Sequence, residues 1–331
     1  MSTALVTGVT GQLGFYVASE LAARGHVVYG LVRQSTVGRD ANANHTALPY
    51  RPITGDLLDE YSLLSILEEI RPDRIFNFGA QSFIPSSWTQ PILTAQYTGL
   101  GVVRLLEAAR RAVPKCRFLQ AGSSELFAGA DRSPQDESMP IRPTNPYGIA
   151  KAFAFQTAAA YRRHYGQFST NVIFFTNESL RRTSEFVFRK VTRTVAEIVA
   201  GKRDSLSLGN LDTVRDWGYA PEYAALSIDV LDLDQPDDFV IATGKGHTVR
   251  DLVSRAFSLV DLDWQKYVRV ESGLVRPSEQ LPIIGDSAKL ERTIGKRPRV
   301  TFDEILRILL AHDLTALGRK VPFSHPDARS P

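Results

Sequence analysis

Tyr147 and Lys151 lie four residues apart in NPYGIAKAFAF, which puts a phenol and an ammonium on one helix face, a turn apart. A neighbouring ammonium favours the phenolate and lowers its pKa from about 10 toward working pH, so the pair is expected to act as a general base. The spacing alone is common on helix surfaces; its weight comes from the groups that precede it. AGSSELF, residues 121–127, brings the hydroxyls of Ser123 and Ser124 and the carboxylate of Glu125 to one strand end. Upstream, ALVTGVTGQLG sets Gly8, Gly11 and Gly14 between a strand and a helix, where backbone turns tightly and approaches a pyrophosphate. The second strand ends in GLVRQST. An acidic residue there would grip a ribose hydroxyl, whereas Arg33 with Ser35 and Thr36 suits a 2′-phosphate, so NADP is expected over NAD. SLRRTSEFVFRKVTR gathers Arg181, Arg182, Arg189, Lys190 and Arg193. Part of such a run is solvated helix face, but the arginine fork matches phosphate oxygens.

Positioning these groups takes a layered α/β chain. Short β-branched runs alternate with helix-period segments, which predicts a Rossmann-type, doubly wound parallel sheet with a smaller C-terminal substrate-binding lobe. Strands are expected at 4–7, 27–32, 74–78, 117–121 and 171–175, with 238–244 returning to the sheet. The first helix should open near Gly11 and stop at Gly25, and a second should end at Pro72. Two long helices are expected at 94–113 and 146–165, the latter capped by Asn145 with Pro146 in its first turn. Periodicity weakens after 175. Residues 1–175 are read as an NADP-binding domain, 176–317 as mainly an interleaved sugar-nucleotide lobe, and 318–331 as a loose tail.

Bulk properties narrow the classes. The 331 residues carry 39 basic and 36 acidic side chains, a balance that argues against a nucleic-acid partner. No run supplies the ~20 apolar residues of a membrane span. The chain enters a strand pattern without a basic leader, so a cytoplasmic location is expected. Cys116, the single cysteine, excludes an internal disulfide, and the six histidines show no ligand spacing, so no metal is expected.

In order, the TGxxGxxG loop, the serine and Tyr-x-x-x-Lys resemble the extended short-chain dehydrogenase/reductase superfamily. NFGAQSF, GSSELF, NPYGIAKAFA, NESLRR, FVFRKVTR, LGNLDTVRDWG, DDFVIATGKGHTVRD and RPSE resemble segments of the GDP-mannose 4,6-dehydratases, in the same order from residue 3 to about 310. The resemblance implies Ser123, Glu125, Tyr147 and Lys151 as catalytic residues. Ser123 would bond the sugar C4 hydroxyl, Tyr147 would take its proton, and Glu125 would take the C5 hydrogen and assist loss of the C6 hydroxyl. Around NADP it implies Gly8, Thr10, Gly11, Gln12, Leu13, Gly14, Arg33, Ser35, Thr36, Asp56, Leu57, Phe78, Ala80, Gln81, Ser82, Tyr147, Lys151, Asn177 and Arg182. Around the GDP-sugar, either GDP-mannose or a GDP-mannoheptose, it implies Ser82, Ser123, Glu125, Asn177, Lys190, Asn210, Arg215, Arg276 and Glu279.

The chain departs from the family pattern with Ser123 for a usual threonine, Phe83 for a frequent histidine, Leu93 for a tyrosine, and Thr176-Asn177 for an Asn-His pair. These changes bear on the substrate more than on the reaction. A reductase or epimerase of a 4-keto-6-deoxy sugar is the alternative enzyme, and a non-catalytic NADP-binding protein a third reading. The resemblance implies a homodimer in which the two long helices form a four-helix bundle, with the small residues Gly99, Gly101, Ala158 and Ala159 permitting close approach; a tetramer is left open.

Overall fold

A computed structural model describes residues 1–34, 48–271 and 281–326. Among these residues a seven-stranded sheet is built from β1 (Thr3–Thr7), β2 (Val27–Val32), β3 (Arg51–Thr54), β4 (Arg74–Asn77), β5 (Arg117–Ala121), β6 (Ser169–Phe174) and β7 (Asp238–Ile241). Its order is β7-β6-β5-β4-β1-β2-β3, with every pairing parallel. All strand C-termini therefore meet at one edge, with the order reversing beside β1, which is where such sheets bind ligands. β3 carries no sequence signature of a buried strand. It contains Pro52 and is mostly exposed, as an edge strand with few donors to satisfy can be.

The longer helices, in chain order, are α1 (Gln12–Ala23), α2 (Glu60–Ile70), α3 (Gly101–Ala112), α4 (Pro146–Tyr165), α5 (Val187–Val199), α6 (Ala220–Leu231), α7 (Val249–Ser258) and α8 (Phe302–Ala316). Successive strand residues point to opposite faces. Val6, Phe76 and Leu119 pack beneath α1 and α6, while Leu5, Ile75 and Phe118 pack beneath α2, α3 and α4. Each of these six side chains is fully buried, as expected for a sheet covered on both sides.

The helix expected at 94–113 is not uniform. Residues 91–94 form an α-turn, Ala95–Leu100 are π-helical, and α3 follows. The wider turn directs Tyr97 and Thr98 inward while Leu93 and Leu100 stay at the surface. Gly101 lies against Leu57, and Ala158 belongs to the core under the sheet. Gly101 and Ala158, two of the small residues expected to let two copies approach, are thus spent inside one chain, and the outward face carries large apolar side chains.

Beyond residue 175, where weakening periodicity was expected, the described residues hold five α-helices: α5 to α8 and the short Ala288–Ile294. Helices α5, α7 and α8 enclose a second core around Trp217, Tyr219, Phe188 and Phe302. Both α7 and α8 open with a reciprocal capping box, Thr248 with Asp251 and Thr301 with Glu304. Arg189 of α5 forms a buried ion pair with Asp313 of α8. Residues 318–326 are not a loose tail. Val321 and Phe323 pack on this second core, Arg319 donates to the Ala200 carbonyl at 2.9 Å, and Arg307 donates to that of Ser324 at 3.0 Å. No helix among the described residues is long and apolar enough to cross a membrane.

Candidate active site

At the tip of β1, Gly8 has φ +65°, and a Cβ there would come within 2.7 Å of the Phe78 carbonyl carbon. A Cβ on Gly14 would stand 2.3 Å from the Gly8 carbonyl oxygen, so the first turn of α1 lies directly on the loop. Gly11 is the N-cap and offers no side chain to the turn's backbone N–H groups, which stay available to an anion. This cradle fits the pyrophosphate of a dinucleotide. Thr10 and Leu13 flank it, half-buried. Gln12 turns elsewhere: its amide donates to Oδ1 and the carbonyl of Asn177 at 2.7 and 3.0 Å and accepts from the Ser179 hydroxyl at 2.7 Å. Asn177 spends its own NH₂ on the Phe175 carbonyl. Both side chains thus join the loop to the strand beyond β6.

Arg33 lies at the end of β2 with its guanidinium 5.6 Å from the Tyr97 ring centre. The Tyr97 hydroxyl donates to Asp56 Oδ2 at 3.1 Å, and Asp56 Oδ1 accepts from the Leu58 N–H at 2.9 Å. Asp56 and Leu57 are held in place by a residue that the sequence reading did not select. Ser35 and Thr36, expected beside Arg33, lie outside the described residues, as do Arg276 and Glu279. At the tip of β4, Phe78 and Ala80 are half-buried and Ser82 is exposed; the Gln81 N–H donates to the Thr98 hydroxyl at 3.1 Å.

A buried polar ladder crosses the sheet below this edge. Thr7 donates to Asn77, Asn77 to Gln120, and Gln120 to the Ala121 carbonyl, with distances of 2.5, 2.8 and 2.9 Å. The same carbonyl accepts from Lys151 Nζ at 2.7 Å. Lys151 is 4% exposed, and burial pushes its pKa down to about 8. Its ammonium is 5.9 Å from the Tyr147 ring centre.

Ser123 caps a short 3-10 turn, Ser124–Phe127, accepting from the Glu125 N–H at 3.3 Å. Ser124 is buried within the turn, and Glu125 is half-buried. Gly148 of α4 packs so closely that a Cβ would lie 2.9 Å from the Glu125 carbonyl oxygen, bringing the carboxylate turn and the Tyr147 turn side by side. Burial pushes the Tyr147 phenol up to about 12; its hydrogen bond with Ser123 and the charge of Arg182 act the other way, and Glu125 raises it further. The expectation that Lys151 depresses this phenol is therefore corrected: desolvation outweighs the charges around it. Asn145 caps α4 as expected, and it also donates to Glu125 Oε2 at 2.7 Å.

Arg182 is stacked on Phe186, 3.3 Å from its centre, and Phe186 meets Phe83 at 5.7 Å. Phe83 thus contributes an apolar wall. Glu178 lies 3.7 Å from Arg182, and burial pushes its carboxyl up to about 7, against the pull of Arg182 and Arg189. Arg189 is no phosphate ligand, because Asp313 engages it in the second core. Lys190 donates to the Ser207 carbonyl at 2.6 Å and lines a cavity of about 360 Å³ with Ser184, Arg193, Thr194, Glu197 and Arg203. Asn210 is exposed and turns its Oδ1 to the Asp212 N–H; Arg215 is half-buried and donates to the Val214 carbonyl. Its neighbour Asp216, buried, accepts from Thr243, Gly244 and Gly285, tying two further segments to its own strand.

The family model described as GDP-mannose 4,6 dehydratase matches residues 5–309. A GDP-mannose 4,6-dehydratase of Yersinia enterocolitica is 36% identical, over 95% of this chain and 94% of its own. The GDP-mannose 4,6 dehydratase of Homo sapiens is also 36% identical, over 95% and 91%. Among solved structures, RMD from Pseudomonas aeruginosa complexed with NADPH superposes with a TM-score of 0.80 at 21% identity, over 96% of this chain and all of that one.

Proposed function

The chain belongs to the GDP-mannose 4,6-dehydratase family, and from that membership and the site's geometry we infer that it removes water from GDP-mannose to give the GDP-4-keto-6-deoxy sugar. The observation that carries the reading is the adjacency of two proton-transfer groups, the Glu125 carboxyl and the Tyr147 phenol beside Ser123, at one strand tip. Oxidation at C4 needs one base for the hydroxyl proton; elimination across C5 and C6 needs a second. Bound NADP would take hydride from C4 and return it to C6, and its cationic ring would favour the Tyr147 phenolate. Tyr147 removes the C4 hydroxyl proton, with Ser123 holding that oxygen. The new ketone acidifies C5–H. Glu125 takes that proton, the C6–O bond breaks, and the departing hydroxyl leaves with it as water; as C6 is reduced, C5 takes up a proton, which balances the one removed from the C4 hydroxyl.

The preference for NADP rests on Arg33 at the end of β2, and the pyrophosphate seat on the glycine cradle. Arg182, beside Tyr147, would face the cofactor. The basic cavity at Lys190 would receive the nucleotide diphosphate, and the family resemblance adds Arg215 to the groups that would hold it. The reductase and epimerase alternatives fall away against relatives that are dehydratases at 36% identity. We also read the apolar face of 93–100 and α4 as a homodimer surface.

Incubation of purified protein with GDP-mannose, without added reductant, should yield a product lighter by one water in the mass spectrum. Turnover only of a preformed keto sugar with stoichiometric NADPH would overturn the reading. Glu125→Gln should keep cofactor binding and lose dehydration by roughly 10²–10⁴-fold.

A further inference from the structure

Asn145 has two tasks that meet in one amide. Its Oδ1 accepts the Gly148 N–H at 2.9 Å, and its Nδ2 donates to Glu125 Oε2 at 2.7 Å. A backbone N–H can only donate, so the atom facing Gly148 is the carbonyl oxygen and the NH₂ group must be turned toward Glu125. The helix cap therefore fixes which end of the amide the carboxylate meets. Asn145 is 8% exposed, and the close packing of Gly148 on the Glu125 backbone leaves the amide no second arrangement that satisfies both partners. We propose that Asn145 is a positioning residue for dehydration, holding the Glu125 carboxylate ionised and aimed at the sugar while it starts the helix that carries Tyr147 and Lys151. The assignment rests on the dehydratase reading above.

A donor on a carboxylate favours its charged form, and a base must be charged to take a proton. Among the described residues, the titratable and charged groups near Glu125 include Tyr147 on α4 and, grouped around that phenol, Lys151 and Arg182. The Asn145 amide differs from all three in being a donor that neither gains nor loses a proton. Aspartate at 145 would keep the cap, because it is among the preferred N-cap residues, but would replace the donor by a second carboxylate. The pair would then share a proton, and the helix N-terminus favours the anion at 145, leaving the proton on Glu125.

Two measurements test this. In Asn145→Asp, a shared proton that places the Glu125 pKa about one unit above the assay pH leaves roughly a tenth of the carboxyl ionised, so dehydration of GDP-mannose at pH 6.5 should fall about tenfold and recover toward wild type as pH rises to 9. A role confined to helix stability would lower the rate equally at every pH. Independently of turnover, infrared titration of protein labelled with carboxyl-¹³C glutamate, with Glu125→Gln as the blank, should show the Glu125 band protonating at higher pH in Asn145→Asp than in wild type. Should Asn145→Asp fold poorly, Asn145→Ser keeps a cap without the amide donor and should shift both readouts in the same direction. Unchanged profiles and an unchanged Glu125 titration overturn the proposal. A wild type that titrates as expected but leaves GDP-mannose intact overturns the dehydratase reading alone.

Discussion

Lys151 brings a charge into the protein interior, and its bond to the Ala121 carbonyl does not offset the lost hydration. Below about pH 8 the lysine is charged in both folded and unfolded chains, and the folded state bears the full desolvation cost. Between about 8 and the unfolded value of 10.5 the folded state binds fewer protons, so this cost is relieved and stability rises with pH. The depression corresponds to about 3 kcal/mol. Lys151→Met should therefore abolish dehydration yet unfold at higher urea concentration than wild type at pH 7, with the gap closing toward pH 10.5; a variant less stable at pH 7 would show that the ammonium is not under this strain. Tyr97 offers a second test. Removing its hydroxyl in Tyr97→Phe deprives the Asp56 carboxylate of a donor, and NADP affinity should weaken by about 1 kcal/mol in calorimetric titration. Identical affinity would leave Tyr97 without a part in the cofactor site.

At the scale of elements, α5 and α8 are joined by the Arg189–Asp313 pair, each side chain less than a tenth exposed. Asp313→Asn would leave a buried guanidinium without its counter-charge, and urea unfolding should register a loss of about 3 kcal/mol. Asp212→Asn breaks the exposed pair with Arg250 and should cost under ~1 kcal/mol. The same helix explains where sequence reading stops. The phosphate loop, the Ser123–Glu125 turn, the Asn145 cap and the Tyr147–Lys151 pair were legible because each is a local pattern whose residues do their work within a few positions. α5 was passed over although its apolar residues recur at the helical period, because the basic run within it, Arg189, Lys190 and Arg193, drew the reading toward phosphate chemistry. Arg189 looked like a phosphate ligand because its true partner is 124 residues away. Burial of Tyr147, which reverses the expected direction of its pKa, is likewise a property of packing that spacing does not carry. The capping boxes of α7 and α8 were present in the sequence and could have announced both helices.

For the molecule as a whole, Leu93, Leu100, Ile149 and Phe153 are each at least 40% exposed on neighbouring segments, with Phe153 lying against Gly99. Wild type should sediment as a dimer, and Phe153→Asp should shift it toward monomer without changing its far-ultraviolet spectrum; a monomeric wild type would remove this assembly from the reading. Gln12 ties the molecule together in another way. It stands in the dinucleotide loop, yet both ends of its amide are committed to Asn177 and Ser179, on the far side of β6. Anyone grafting a foreign sugar-recognising half onto this scaffold would also be replacing the mooring of that glutamine. A chimera whose donor lacks an acceptor at 177 and a hydroxyl at 179 should shed its coenzyme together with its old specificity.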